Sequence, residues 1–585
     1  MNQYRTPVDA LSPGEWVAAG LIAAVVAVGL PVWLTAGLAG LATTGHWLFV
    51  PAGTVPAVIA GWSHHLSDPA AAFPAGDRAD LPSAAPIYIC ALIVLGALAL
   101  LAYAVFRLVT REPRGRGMAP AAEVRAYLSA AAVRRRGRHA RPNLTGKVAP
   151  EQVGLYLGRD THSGQQVWGS IEDSYLYLGP PRSGKGVHLI IPQTLAAPGA
   201  VMVTSTRNDV VRHTARLRAA CGPVVVFDPQ QMVSRRALPR LRWAPQRGCD
   251  DPLVAIGRAR SLAAAAKFGV GTTTNGDYWQ SMTEAVVRCY LHAAALTGRP
   301  ARELLAWTSR PTDPTPVRIL RGEGDAAPGW AEELAAQAAA HPQQRDNVWS
   351  GVRRAFDCLA DPRVLDACSP VGDDEFDPAR FIAASGTLYL LGDGDSQLSV
   401  APLITALLED VLGVARRTAA HGAGGRLDPP LLLLLDEAAN IAPIPSLPHL
   451  LADGGGTGIT TVAVLQSLAQ ARHRWGQPGA EAIWDASTTK VVLGGLSEAD
   501  DLSRISRLAG EIDEPTVTRT TGPGGGSLSV ATRRLPALPV ERLRTMPPGE
   551  AIVLARHTPP VRTRMRPWTR LPQSAAIRAA AEEPA

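Results

Sequence analysis

Gly179-Pro180-Pro181-Arg182-Ser183-Gly184-Lys185-Gly186 lies between an apolar, β-prone run, Ser174-Tyr-Leu-Tyr-Leu178, and Val187-His-Leu-Ile-Ile191, which reads as the first turns of a helix. Strand, glycine loop and helix together are the setting in which a Gly-x-x-x-x-Gly-Lys segment binds phosphate. The glycines let backbone N–H groups turn inward around a β-phosphate, and the lysine reaches the β/γ oxygens. The helix N-terminus adds a partial positive charge. A Gly-rich turn by itself is often only a turn. Here, however, lysine occurs only at Lys147, Lys185, Lys267 and Lys490 while arginine abounds, so a lysine kept in the loop carries weight. The expected phosphate-binding residues are Gly179, Pro180, Pro181, Arg182, Ser183, Gly184, Lys185, Gly186 and Val187. Position 186 is Gly where the motif normally supplies a Ser/Thr hydroxyl to Mg2+. The sequence leaves open whether Ser183, inside the loop, compensates.

Further along, Ala200-Val-Met-Val-Thr-Ser205, Pro223-Val-Val-Val-Phe-Asp228, Gly386-Thr-Leu-Tyr-Leu-Leu391, Ile459-Thr-Thr-Val-Ala-Val464 and Thr489-Lys-Val-Val-Leu493 are short apolar runs. Such runs are buried on both faces and predict a parallel sheet. Leu431-Leu-Leu-Leu-Leu-Asp436-Glu437 is another, ending in two acids. Buried strands often end in acids that merely cap a helix. Paired with the glycine loop, this one fits a Walker B element. Asp436 is then expected to hold Mg2+, directly or through water, and Glu437 to orient and deprotonate an attacking water. Glu437 argues for hydrolysis rather than binding alone. The strand after it ends in Gln466-Ser467; a γ-phosphate-sensing role for Gln466 and a simple helix-capping role both fit the spacing.

The bulk composition sets limits. At 585 residues the chain exceeds one core, and with 46% hydrophobic and 19% charged residues it is not a disordered chain. Residues 1–150 carry 13 basic and 7 acidic groups, residues 515–585 carry 11 and 4, and the middle is net acidic. Two basic ends suit contact with acidic lipid or nucleic acid; solvated arginine-rich surfaces account for them equally well. Six cysteines without C-x-x-C pairs or histidine partners at zinc spacing read as reduced and mostly buried, with no structural metal site.

Two stretches, 16–42 and 86–109, are almost wholly apolar and longer than the ~20 residues that cross a bilayer. Arg107, Arg111, Arg114, Arg116, Arg125, Arg134, Arg135, Arg136, Arg138 and Arg141 follow the second, which places the remainder on the cytoplasmic side. The expected organisation is a transmembrane anchor (1–115) with a short external loop between its helices, then a basic juxtamembrane linker (116–150). A first nucleotide-binding part (151–249), an all-helical insertion (250–375) rich in alanine, and a second nucleotide-binding part (376–560) follow. Gly522-Pro-Gly-Gly-Gly526 is expected to be a loop, and the tail (561–585) to be flexible with loose order from 571.

Ser205-Thr-Arg-Asn-Asp209, Val226-Phe-Asp-Pro229, Asp436-Glu-Ala-Ala-Asn440, Gly454-Gly-Gly-Thr-Gly-Ile459, Gln466-Ser-Leu-Ala-Gln470 and Trp475-Gly476 complete one ordered series with the glycine loop. Over roughly 150–560 this series resembles the TraG/TraD-type coupling proteins of bacterial conjugation and type IV secretion, whose members often carry Gly at the position of Gly186. The sequence departs from better-known members at Arg207-Asn208, where a lysine is more usual. The resemblance implies an α/β, RecA-like P-loop NTPase fold with a central parallel sheet, an all-helical insertion domain and an N-terminal two-helix transmembrane anchor. It implies an ATPase that uses ATP and Mg2+ to move DNA, with Lys185, Asp436, Glu437 and Gln466 as its catalytic residues. Implied partners are DNA bound without regard to sequence, relaxase or relaxosome proteins, type IV secretion channel components and the membrane. The implied state is a multi-pass bacterial inner-membrane protein, homo-hexameric when active, with both termini and the ATPase body in the cytoplasm. Such motors take an arginine from a neighbouring subunit; Arg353, Arg354, Arg472 and Arg474 are the candidates. Two other functions share these features: a chromosome-segregation-like double-stranded DNA translocase, and a nucleotide-switched receptor for protein substrates that pumps nothing.

Overall fold

The computed structural model describes residues 13–109, 117–234, 238–266, 276–392, 400–522 and 525–582. It divides into two compact units, Met1–Arg114 and Gly115–Ala585. In the first, the apolar stretches form helices Pro13–Thr44 and Ala84–Val109, with a short helix Val55–Trp62 between them. Val32, Ala36, Val58, Phe73, Ile87 and Cys90 pack into a small core. Along Ala84–Val109, Ile89, Leu92, Ile93, Leu95, Leu100 and Leu101 face outward. Apolar groups so arrayed on a helix suit hydrocarbon rather than water. Among the described residues one helix, Ala84–Tyr103, is long and apolar enough to cross a membrane; of the two expected spans, the structure thus bears out one by this measure. Arg111, Arg114 and Arg116 of the basic stretch lie outside the described residues.

The second unit is built on an eleven-stranded sheet. Its strands are β1 (Gly154–Asp160), β2 (Gln166–Ser170), β3 (Tyr175–Leu178), β4 (Val201–Ser205), β5 (Val224–Phe227), β6 (Thr387–Leu391), β7 (Leu431–Leu435), β8 (Ile459–Leu465) and β9 (Thr489–Leu493), with β12 (Glu550–Ala555) and β13 (Val561–Arg564). The order across the sheet is β2-β1-β13-β12-β9-β3-β8-β7-β4-β6-β5. From β9 to β5 all pairings are parallel. The expected parallel sheet is therefore present, but four antiparallel strands extend it beyond β9. These close through short turns, β1–β2 around 161–165 and β12–β13 around 556–560, and hairpin connections of that length can only produce antiparallel pairs.

Period-two alternation explains why five consecutive leucines make a buried strand. Leu431, Leu433 and Leu435 enter the core on one face of the sheet, Leu432 and Leu434 the core on the other. Helices supply the first of these cores. Between β5 and β6 the described chain is helical, from Pro252–Ala265 to Pro378–Ala383. Val286, Tyr290, Trp349, Val352 and Phe356 join Leu176, Met202 and Leu388 of the strands in one continuous core. Three of these helices start alike: Asp251, Asp361 and Asp377 accept hydrogen bonds from first-turn N–H groups, with Pro next in sequence. That pairing of an acceptor at the cap with a residue lacking an N–H at the first helical position satisfies the orphan donors there.

On either side of the loop expected at Gly522–Gly526, the chain forms a two-stranded antiparallel ribbon that the sequence did not suggest, β10 (Glu511–Gly522) and β11 (Gly525–Pro536), in continuous register. Thr516, Val517 and Thr518 on one arm and Leu528, Val530 and Thr532 on the other are β-prone and favour strand; residues 523–524 lie outside the described residues. The tail, expected to be flexible over 561–585, is ordered through residues 561–582, which corrects that expectation for the described residues. β13 belongs to the main sheet, and a helix Ser574–Glu582 buries Ile577 and Ala580 against the helix Asp209–Arg218. Arg212 Nη2 donates to Ala581 O at 2.5 Å. The apolar spacing of Ile577 and Ala580 suffices to dock a short helix whose composition alone looks unstructured.

Candidate functional site

Four neighbouring strands, β3, β8, β7 and β4, are parallel, so their C-terminal ends open on one edge of the sheet. Each delivers one part of a site: β3 the loop 179–186, β8 Gln466, β7 Asp436-Glu437, and β4 the turn to Asp209. This is the edge at which open α/β sheets bind ligands. Gly179 N donates to Leu465 O at 3.1 Å, tying the start of the loop to the end of β8.

The loop turns through two left-handed residues, Arg182 (φ 63°) and Gly184 (φ 87°). Arginine has no glycine-like licence for that conformation, so its strain of about 1 kcal/mol is held by the surrounding turn. Lys185 is buried, and its ammonium donates to Gly179 O (2.7 Å) and Pro180 O (3.0 Å). Burial pushes its pKa down, while Asp436 and Glu437 oppose that shift. A π-turn, Gly186–Ile190, and a helix, Ile191–Ala196, continue from the loop as the sequence predicts, with Val187 exposed. Ser183 Oγ is buried without a partner, at 2.8 Å from where a Cβ on Gly179 would sit. It faces back into the loop. Beside the loop, Pro180, Pro181 and Arg182 form one wall of a cleft of about 400 Å3, with Gly495, Arg544 and Met546 opposite.

Asp436 and Glu437 have different environments. Asp436 is half-buried, its Oδ1 is buried with no hydrogen-bond partner, and Thr204 Oγ1 donates to its backbone oxygen at 2.6 Å. Burial, then the Glu437 charge, raises its carboxyl to about 6; Lys185 opposes this and Asp209 adds to it. A buried carboxylate oxygen with no donor is costly unless a cation takes it, so the site suits Mg2+. Glu437 sits in left-handed backbone (φ 53°), turning its carboxylate out of the sheet. Gln466 Nε2 donates to both Glu437 oxygens at 2.8 and 2.7 Å, and Asn440 Nδ2 donates to Oε2 at 2.9 Å. The structure therefore brings Lys185, Asp436, Glu437 and Gln466 together. Sequence reasoning assigned no role to Asp209, Asn440 or Thr204.

The arginine candidates separate. Arg472 pairs with the buried Asp501 at 3.4 Å, and Arg474 Nε donates to Ala439 O at 3.0 Å. Arg353 and Arg354 are exposed on the helix Pro342–Phe356.

Two family models match the chain: "Type IV secretory system Conjugative DNA transfer" over residues 125–248 and "TraM recognition site of TraD and TraG" over 430–548. The first spans the glycine loop, the second Asp436, Glu437 and Gln466. A conjugal transfer protein TraG of Rhizobium radiobacter is 30% identical over 191 residues, 31% of this chain and 30% of its own length. A TraG of Agrobacterium fabrum is 29% identical over 191 residues, 31% of this chain and 29% of its own length. The chain thus aligns with less than a third of each of these relatives. The fold is similar to that of the bacterial conjugative coupling protein TrwBdeltaN70, with a TM-score of 0.52, 19% identity, and 75% of this chain and 92% of that one covered. TrwB in complex with ADP and Mg2+ gives a TM-score of 0.50 at 19% identity, covering 74% of this chain and 91% of that one.

Proposed function

We propose that the chain, which belongs to the TraG/TraD-type coupling-protein family, is a membrane-anchored P-loop ATPase that passes DNA to a type IV secretion channel. The observation that carries this reading is the convergence of Lys185, Asp436, Glu437 and Gln466 on the ends of adjacent parallel strands. In it, Lys185 exchanges its two loop carbonyls for β- and γ-phosphate oxygens, and backbone N–H groups of 182–187 surround the β-phosphate. Asp436 takes Mg2+, which when bound neutralises the charge that develops on the transferred phosphate. Glu437, aimed by Gln466 and Asn440, accepts the proton of the attacking water. TrwB, a protein of similar fold, is known in complex with ADP and Mg2+, which supports the same pair of cofactors here.

The helix Ala84–Val109, and with it Pro13–Thr44, anchors the ATPase in the bacterial inner membrane, with both termini in the cytoplasm. Relaxosome proteins and the secretion channel are the proposed partners, in keeping with the family matches, and the active assembly is a homo-hexamer. Trapped in such a ring, DNA is gripped through its backbone, so affinity falls with salt and ignores base sequence. ATP turnover by the detergent-solubilised chain tests the reading. Stimulation by single-stranded DNA supports it, and stimulation by a protein partner alone contradicts the DNA-motor part.

A further inference from the structure

Phosphate loops of this type place a Ser or Thr hydroxyl on Mg2+ directly after the lysine, and here that residue is Gly186. The space a side chain at 186 would enter is open. An ideal Cβ there meets a single neighbour within 4 Å, Asp209 Oδ2 at 3.9 Å. Asp209 opens the helix that follows β4, the strand next to β7, and its Oδ1 accepts from Val210 N at 2.9 Å. Its other oxygen is the one directed at Gly186. Asp436 Oδ1, a buried atom, is unpartnered in the same region, near enough to feel the Asp209 charge. The other hydroxyl in the loop, Ser183, is turned back against Gly179 and is not placed to stand in.

A carboxylate beside a phosphate site repels the ligand unless a cation lies between them. Mg2+ takes oxygen ligands, commonly one or two carboxylates together with phosphate and water. We infer that Asp209 supplies to Mg2+ the oxygen that Gly186 lacks, directly or through a water, so that the ion is held between Asp209 and Asp436. This inference rests on the nucleotide-binding reading above. It turns the loop's departure from the usual motif into a relocation of one metal ligand from β3 to β4.

The test measures binding of a fluorescent ADP analogue to the detergent-solubilised chain with and without Mg2+, and of Mn2+ by electron paramagnetic resonance. Asp209→Asn should leave Mg2+-free nucleotide affinity equal to or above that of the wild type, the repelling charge being gone, and lower Mn2+ affinity, and the Mg2+ enhancement of nucleotide binding, by about tenfold. Gly186→Ser, whose hydroxyl enters the open space, should restore both in the Asp209→Asn background. Full Mn2+ affinity and Mg2+ enhancement in Asp209→Asn would leave Asp209 a helix-terminal acid and overturn the inference. A wild-type chain that binds no nucleotide, with or without Mg2+, would overturn the parent reading and this inference with it.

Discussion

Gln466 holds both oxygens of Glu437 through one amide nitrogen, at 2.8 and 2.7 Å. The contact joins the ends of β8 and β7 across the place where a γ-phosphate is expected. An amide nitrogen donating to both oxygens fixes the plane of the carboxylate. Gln466→Ala should therefore lower ATP turnover at saturating nucleotide by at least about tenfold, within the span of general-base effects, while nucleotide affinity changes by less than about threefold. Steady-state kinetics beside equilibrium binding checks this. Unchanged turnover would reduce Gln466 to a helix-capping residue.

Asp436 should cost the folded chain stability near neutral pH. Its carboxyl is raised from the ordinary 3.8 to about 6, first by burial. Between those values the folded state holds a proton that the unfolded chain has lost, so stability falls as pH rises through that window. Above it, the ionised group costs about 3 kcal/mol. Asp436→Asn, nearly isosteric and uncharged, should melt higher than the wild type at pH 7.5 without nucleotide. Its advantage should shrink by more than half at pH 4.5. Equal melting temperatures at pH 7.5 would show that the carboxylate is already compensated.

Arg141 and Asp428 pin the basic linker to the ATPase unit. Their side chains meet at 2.7 Å with 9% and 5% exposure, and Arg141 also donates to Gln152 O. Removing one partner of so buried a pair strands the other charge. Arg141→Ala should thus lower unfolding free energy by about 3 kcal/mol, whereas Arg141→Met with Asp428→Leu should lose less than either single change. Denaturant unfolding followed by tryptophan fluorescence measures both. A loss below about 0.5 kcal/mol in Arg141→Ala would contradict the account.

The C-terminal helix should matter to the site although it lies far from it in sequence. Ile577 is fully buried against the helix that Asp209 begins. Ending the chain after Gln573, or introducing Ile577→Asp, should lower the melting temperature by several degrees, consistent with burying an unpaired charge or losing a docked element. A truncated chain as stable as the full one would show the helix to be dispensable.

Much of this was legible from residues because local pattern and global arrangement agree. The parallel strands are short apolar runs, and the glycine loop and the acids of Asp436-Glu437 stand where strands end. Asp209 was not legible. An acid at the start of a helix is common, and only the folded chain brings Asp209 Oδ2 to 3.9 Å from a Cβ at Gly186, β4 lying next to β7 in the sheet. The antiparallel extension escaped for a related reason. Strands such as β1, with Gly154, Gly158 and a register shift between Tyr156 and Gly158, lack clean alternation. The tail escaped because two buried side chains dock its helix, too few to stand out in a run of alanines.

The most direct test of the central claim is ATP hydrolysis and ATP binding by the solubilised full-length chain beside Lys185→Ala and Glu437→Gln. The account predicts turnover in the wild type, loss of both binding and turnover in Lys185→Ala, and retained binding with turnover down by at least about a hundredfold in Glu437→Gln. Undiminished turnover in Glu437→Gln, or none in the wild type despite bound ATP, would contradict it.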